Sequence, residues 1–97
     1  MILVNKNGEN IKISGHSLYD DFGKDIVCSA VSSIVITTIN GILEIDNSAI
    51  KYTEKDGLEI EILKKDRITS ALINNMMLLL KELSLKYPKN LKIKEGV

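Results

Sequence analysis

Two dipeptides, Asn7-Gly8 and Asp56-Gly57, each lie between short segments in which apolar and polar residues alternate, and they fix the outline of the chain. Glycine takes a positive φ without steric penalty, and Asn or Asp beside it tolerates the same region, so each pair suits the type I′ turn of a β-hairpin. The flanking strands are Met1–Lys6 and Glu9–Ser14 in the first hairpin, Ile50–Lys55 and Leu58–Leu63 in the second. In the last of these, Leu58, Ile60 and Ile62 alternate with Glu59 and Glu61, which gives one face to a core and the other to water. With 97 residues in all, the chain has room for one domain, taken as 1–97.

Each hairpin is followed by a helical pattern. Over Asp66–Tyr87, the residues Ile68, Leu72, Met76, Leu79 and Leu83 recur at helical spacing, Asp66 can cap the start, and Pro88 follows the stop. Leu91 and Ile93 then alternate with Lys92 and Lys94 as a closing strand. The stretch Asp25–Ile42 is ambiguous, because Ile34-Val35-Ile36-Thr37-Thr38-Ile39 is β-branched throughout. The spacing of Val27, Val31, Ile34, Thr38 and Ile42, a length of about five turns, and Gly41 near the end favour a helix. Val35, Ile36 and Ile39 make its other flank apolar, so this helix should be buried on most sides, and because one small sheet cannot cover both flanks it is a hint of a homodimer. The expected fold is α+β in the order ββαββαβ, with two helices packed on a mixed or antiparallel sheet.

Composition narrows the function. Lys plus Arg and Asp plus Glu are 13 each, a net charge of zero, which speaks against direct nucleic-acid binding as the main task. The single cysteine, Cys28, and the single histidine, His16, exclude an internal disulfide and a Cys₂His₂ finger, and no HExxH spacing occurs. Neither a metal nor another cofactor is expected. The longest uninterrupted apolar run, Met76–Leu80, is far short of the ~20 residues that span a bilayer, and Asn5-Lys6-Asn7-Gly8 ends the apolar start of the chain at once. A soluble, cytoplasmic protein without a membrane partner is the expectation.

The chemistry is concentrated between Gly15 and Ser32. Cys28 falls in the first turn of the first helix, where unpaired N–H groups and the helix dipole lower a thiol pKa from about 8.5. A neighbouring imidazole would lower it further, giving a thiolate–imidazolium pair, and the same N–H groups could hold an oxyanion. The alternative is that Cys28, among Val27, Ala30 and Val31, is a small core residue. What favours the nucleophile is that the sole His and sole Cys flank the ten-residue segment from Gly15 to Lys24, hinged by Gly15 and Gly23; connections of that length are often functional.

Gly15-His16, followed twelve residues after the histidine by Cys28 within Gly23-Lys24-Asp25-Ile26-Val27-Cys28-Ser29-Ala30-Val31-Ser32, resembles the ribosomal-processing cysteine protease Prp family. The order of elements and the length match that family over essentially the whole chain. Ser29 stands where an alanine is common, and Ser17 where a small Ala is usual; neither alters a candidate catalytic group. The resemblance implies a homodimeric endopeptidase that removes a short amino-terminal extension from a large-subunit ribosomal protein, cutting after a pair of aromatic residues. It also implies Cys28 as nucleophile and His16 as base, with Asp25 and Ser32 as supporting polar groups.

Several roles stay open. Asp25 either orients His16 or caps the helix, and the two are not exclusive. Ser32, one turn after Cys28, either donates to the thiolate or oxyanion or bonds a carbonyl one turn back. Leu18, Tyr19 and Phe22 either anchor substrate side chains, with Gly15, Ser17 and Gly23 shaping the same surface, or fold onto the chain's own core. Residues 15–25 carry Lys24 against Asp20, Asp21 and Asp25, a net of −2 that would steer a basic substrate. Two rivals compete with the protease: a non-catalytic dimeric ribosome-assembly adaptor in which Cys28 is merely packed, and a redox-sensing thiol, which would lack a resolving cysteine in the chain.

Overall fold

The structure, a computed structural model, describes residues 1–15 and 26–96. Its elements run β1 (Ile2–Asn7), β2 (Asn10–Ser14), α1 (Ile26–Ile45), β3 (Ile50–Lys55), β4 (Gly57–Ile62), α2 (Arg67–Lys86) and β5 (Leu91–Gly96). The five strands form one sheet in the order β3-β4-β2-β1-β5, antiparallel except for the parallel pair of β1 and β5. The fold is the α+β arrangement expected, with a mixed sheet.

Register explains why one face of the sheet is covered. Val4 pairs with Ile13 and Ile93, Ile11 with Ile60, Ile13 with Leu58, and Ile2 with Leu91, so apolar side chains align on the helix side. Across the other face Lys12 lies opposite Glu59, and Asn5 opposite Lys94, which keeps that side wet. Ile2, Val4, Ile11, Ile13, Ile60 and Leu91 are all buried beneath α1 and α2, which pack side by side over the sheet.

The hairpin turns differ from the type I′ expectation. Asn7 pairs with Asn10, so the turn residues are Gly8 and Glu9, and Gly8 alone has a positive φ, of 62°. That is the type II′ pattern, which asks for glycine at the first turn position only. In the second hairpin Lys55 pairs with Gly57 around Asp56, and Gly57 carries the positive φ, of 102°.

Both helices form where the spacing predicts, and each buries part of the expected stripe together with residues on its flank. In α1 the buried line is Val27, Cys28, Val31, Val35, Ile39 and Ile42, whereas Ile34 and Thr38 are half-buried. The Thr38 hydroxyl donates to the Ile34 carbonyl at 2.8 Å, and the all-aliphatic line through Val35 and Ile39 takes the core instead. Gly41 does not end the helix, which runs three residues past Ile42 to Ile45. The chain then turns at Asp46, whose carboxylate accepts from the N–H and hydroxyl of Ser48 and pairs with Lys64 at 2.8 Å.

By length and composition alone α1 is apolar enough to cross a membrane, although Ser, Thr, Asn and Gly punctuate it and keep its uninterrupted apolar runs short. In this fold it packs against the sheet and α2.

In α2, Asp66 is the N-cap and accepts from the Thr69 N–H at 2.8 Å, as expected of it. Its buried face is Thr69, Ile73, Met76, Met77 and Leu80, while Ile68 and Leu79 of the expected stripe are 53% and 39% exposed. The continuous run Met76–Leu80 makes the apolar arc wide, so spacing alone is compatible with either flank facing inward.

Candidate active site

Cys28 is the third residue of α1. The N–H groups of a first helical turn have no acceptor within their own helix, and no acidic side chain lies in this first turn to oppose a negative charge. A thiolate or an oxyanion formed here would therefore meet converging donors and the positive end of the dipole. The side chain is 7% exposed and belongs to the buried apolar cluster with Val27 and Val31. Ser32 is half-buried four residues later, the spacing that stacks two side chains on one helical face.

Gly15 follows β2 directly and precedes His16. It has a φ of 76°, and a Cβ placed on it would collide with the backbone carbonyl of Met1. Only glycine meets both demands, so the first part of the Gly-His pair has a backbone reason to be what it is. His16, Ser17, Leu18, Tyr19, Phe22, Gly23 and Asp25 lie outside the described residues. Of the residues singled out from the sequence, the structure thus locates Gly15, Cys28 and Ser32.

Sequence reasoning missed the backbone that surrounds the end of β2. A Cβ on Gly57 would collide with the Ile13 carbonyl and come within 3.4 Å of the Ser14 Cα. Gly57 is legible in the sequence only as a turn residue; its closeness to β2 follows from the pairing of β2 with β4, which local pattern does not reveal.

The concavity of about 270 Å³ lined by Ile42, Ile45, Asp46, Asp66, Ile68 and Thr69 lies at the other end of α1. At 1.5 Å per residue that is roughly 20 Å from Cys28, too far to take part in chemistry at its thiol. Among the described residues no three His, Cys, Asp or Glu side chains converge as metal ligands.

Known proteins resemble the whole chain. The ribosomal processing cysteine protease Prp of Mycoplasma genitalium is 26% identical over 98 residues, covering 98% of this chain and 96% of that protein. The essential ribosomal processing protease Prp of S. aureus, seen with a covalently linked product peptide and with a substrate peptide, superposes with a TM-score of 0.87 in each case. At 18% identity the likeness covers 99% of this chain and all of that one, and it bears on the fold. SMU.848 from Streptococcus mutans superposes with a TM-score of 0.74 at 21% identity, covering 98% of this chain and 91% of its own. The Peptidase_Prp family, cysteine protease Prp, matches residues 1–92, nearly all of the hairpin-helix-hairpin-helix-strand fold that carries Cys28. The chain belongs to the cysteine protease Prp family.

Proposed function

We propose that this protease removes the amino-terminal extension of a large-subunit ribosomal protein in the cytoplasm, with Cys28 as nucleophile and His16 as general acid and base. The observation that carries the reading is the position of the only cysteine in the first turn of α1, within a chain whose family match spans residues 1–92. The Cys28 thiolate attacks the scissile carbonyl, and the first-turn N–H groups of α1 take up the oxyanion. Collapse expels the amine, which His16 protonates, and leaves a thioester on Cys28. Water deprotonated by His16 then hydrolyses the thioester and restores the thiolate. Asp25 orients the imidazole or caps α1, and Ser32 supports the thiolate from the next turn.

Peptide binding belongs to the segment from Gly15 to Gly23, with Ser17, Leu18, Tyr19 and Phe22 contacting the extension. Its net charge of −2 with Lys24 and Asp25 included favours a basic substrate. Incubation with a peptide spanning the extension of the same organism's ribosomal protein should yield two products by mass spectrometry, and none with Cys28→Ala. An uncut peptide that nonetheless binds would favour the adaptor instead, the reading that the burial of Cys28 among aliphatic side chains supports.

The homodimer also belongs to this proposal, on a different surface from the one first anticipated. The flank of α1 with Ile34, Ile36 and Leu43 is packed against the core, whereas Ile68, Leu78, Leu79 and Leu85 of α2 are exposed. Sedimentation equilibrium should show a dimer that Leu78→Lys with Leu85→Lys dissociates; a wild-type monomer would contradict it.

A further inference from the structure

The two hairpin glycines are unlike each other. Gly8 and Gly57 both have a positive φ, 62° and 102°, and both are legible as turn residues. A Cβ on Gly8 would meet nothing within 4 Å. On Gly57 it would strike the Ile13 carbonyl and stand 3.4 Å from the carbonyl carbon of Ile13 and the Cα of Ser14. Positive φ calls for glycine at both positions, and at Gly57 the close approach of the β2 backbone adds a second demand that Gly8 does not face.

The strand so approached is the end of β2. Ile13 pairs with Leu58 of β4 on one side and Val4 of β1 on the other. One residue beyond Ser14, Gly15 is pressed in turn against the Met1 carbonyl. The last residues of β2 are thus held between two backbones, at two glycines, where neither neighbour leaves room for a side chain. Backbone against backbone yields little, since no rotamer can swing aside. His16 is the next residue.

We infer that Gly57 is a positioning residue for the protease: its bare backbone fixes where β2 ends, and with it the backbone of Gly15, to which His16 is bonded. The inference rests on the assignment of His16 as acid and base given above. A methyl on Gly57 would displace Ile13 and Ser14 outward by a fraction of an ångström to about 1 Å, and errors of that size in a reacting pair lower rates by up to roughly 100-fold. L-Alanine is disfavoured at the positive φ of either glycine, so Gly8→Ala is the control that places a side chain at positive φ without a backbone clash.

The test compares Gly57→Ala, Gly8→Ala and His16→Ala in the full chain, using cleavage of the extension peptide and the pH dependence of Cys28 alkylation by iodoacetamide. Gly57→Ala should lower kcat at least ~10-fold with KM within ~2-fold and raise the alkylation midpoint. Gly8→Ala should leave kcat within ~2-fold and the midpoint in place. Equal behaviour of the two glycine variants overturns the inference. A His16→Ala enzyme with wild-type kcat overturns it as well, but through the role of His16, and is recognised without reference to Gly57. If far-UV circular dichroism finds Gly57→Ala unfolded, the decision passes to Asp56→Gly and Asn7→Gly, which loosen the two tips without adding a side chain. A greater loss of kcat in Asp56→Gly upholds the inference, and equal losses overturn it.

Discussion

The carbonyl of Met1 occupies the space that a Cβ on Gly15 would need, so the first residue before β1 closes over the residue that follows β2. The two chain segments that meet at the open end of the first hairpin thereby fix the backbone immediately before His16. The contact is steric and requires no side chain from either residue.

Gly15→Ala is expected to lose about 1–2 kcal/mol of stability from its positive φ and the displaced Met1 carbonyl, and to lose cleavage far beyond what that destabilisation accounts for. Urea unfolding together with kcat on the extension peptide measures both. A variant that unfolds more easily but cleaves normally while folded would show that this contact serves the fold alone.

Cys28→Ala removes one sulfur from a site that is 7% exposed, beside Val27 and Val31. The small void should destabilise the protein by on the order of 1 kcal/mol, well short of unfolding it. Cleavage should vanish while binding of the extension peptide, followed by fluorescence anisotropy, is retained. Residual cleavage at more than a trace would contradict Cys28 as the nucleophile.

The hairpins, both helices and the last strand are legible in the sequence because each has a strong local cause: alternation around Gly8 and Gly57, an Asp66 cap, a proline after Tyr87. Strand order is not local. That β5 joins β1 in parallel, and that β4 rather than β1 carries Gly57 to the end of β2, depends on which apolar rows meet across the sheet. Which residues of each apolar arc sit deepest is open in the sequence for a related reason. Val35 and Ile39 compete with Ile34 and Thr38 in α1, as Ile73 and Met77 do with Ile68 and Leu79 in α2, and only the partner surface decides. At the site, Cys28 and His16 stand out as the only residues of their kind, whereas Met1 and Gly57 act through backbone and leave no chemical signature in the sequence.

Asp46 gives the fold an acid-sensitive tie. The Lys64 ammonium, followed by the hydroxyl and N–H of Ser48, holds its carboxyl well below the usual carboxylate range. The folded pKa lies below the unfolded one, so the stabilisation is complete above about pH 4 and is lost as pH falls toward the depressed value. Asp46→Asn lacks that contribution. Its urea midpoint should therefore lie below that of the wild type near neutrality, by a small margin befitting an exposed pair, and the gap should close below about pH 4. A gap unchanged down to about pH 2 would contradict the assignment.

The proposed mechanism requires the only thiol, Cys28, to be held as a thiolate by the start of α1 together with the only imidazole, His16. The rate of Cys28 alkylation by iodoacetamide, followed against pH in wild type and His16→Ala, tests it most directly. The predicted result is a wild-type midpoint well below the ordinary thiol value of about 8.5, shifted upward when the imidazole is removed. A midpoint at or above about 8.5 that His16→Ala leaves unmoved would contradict it.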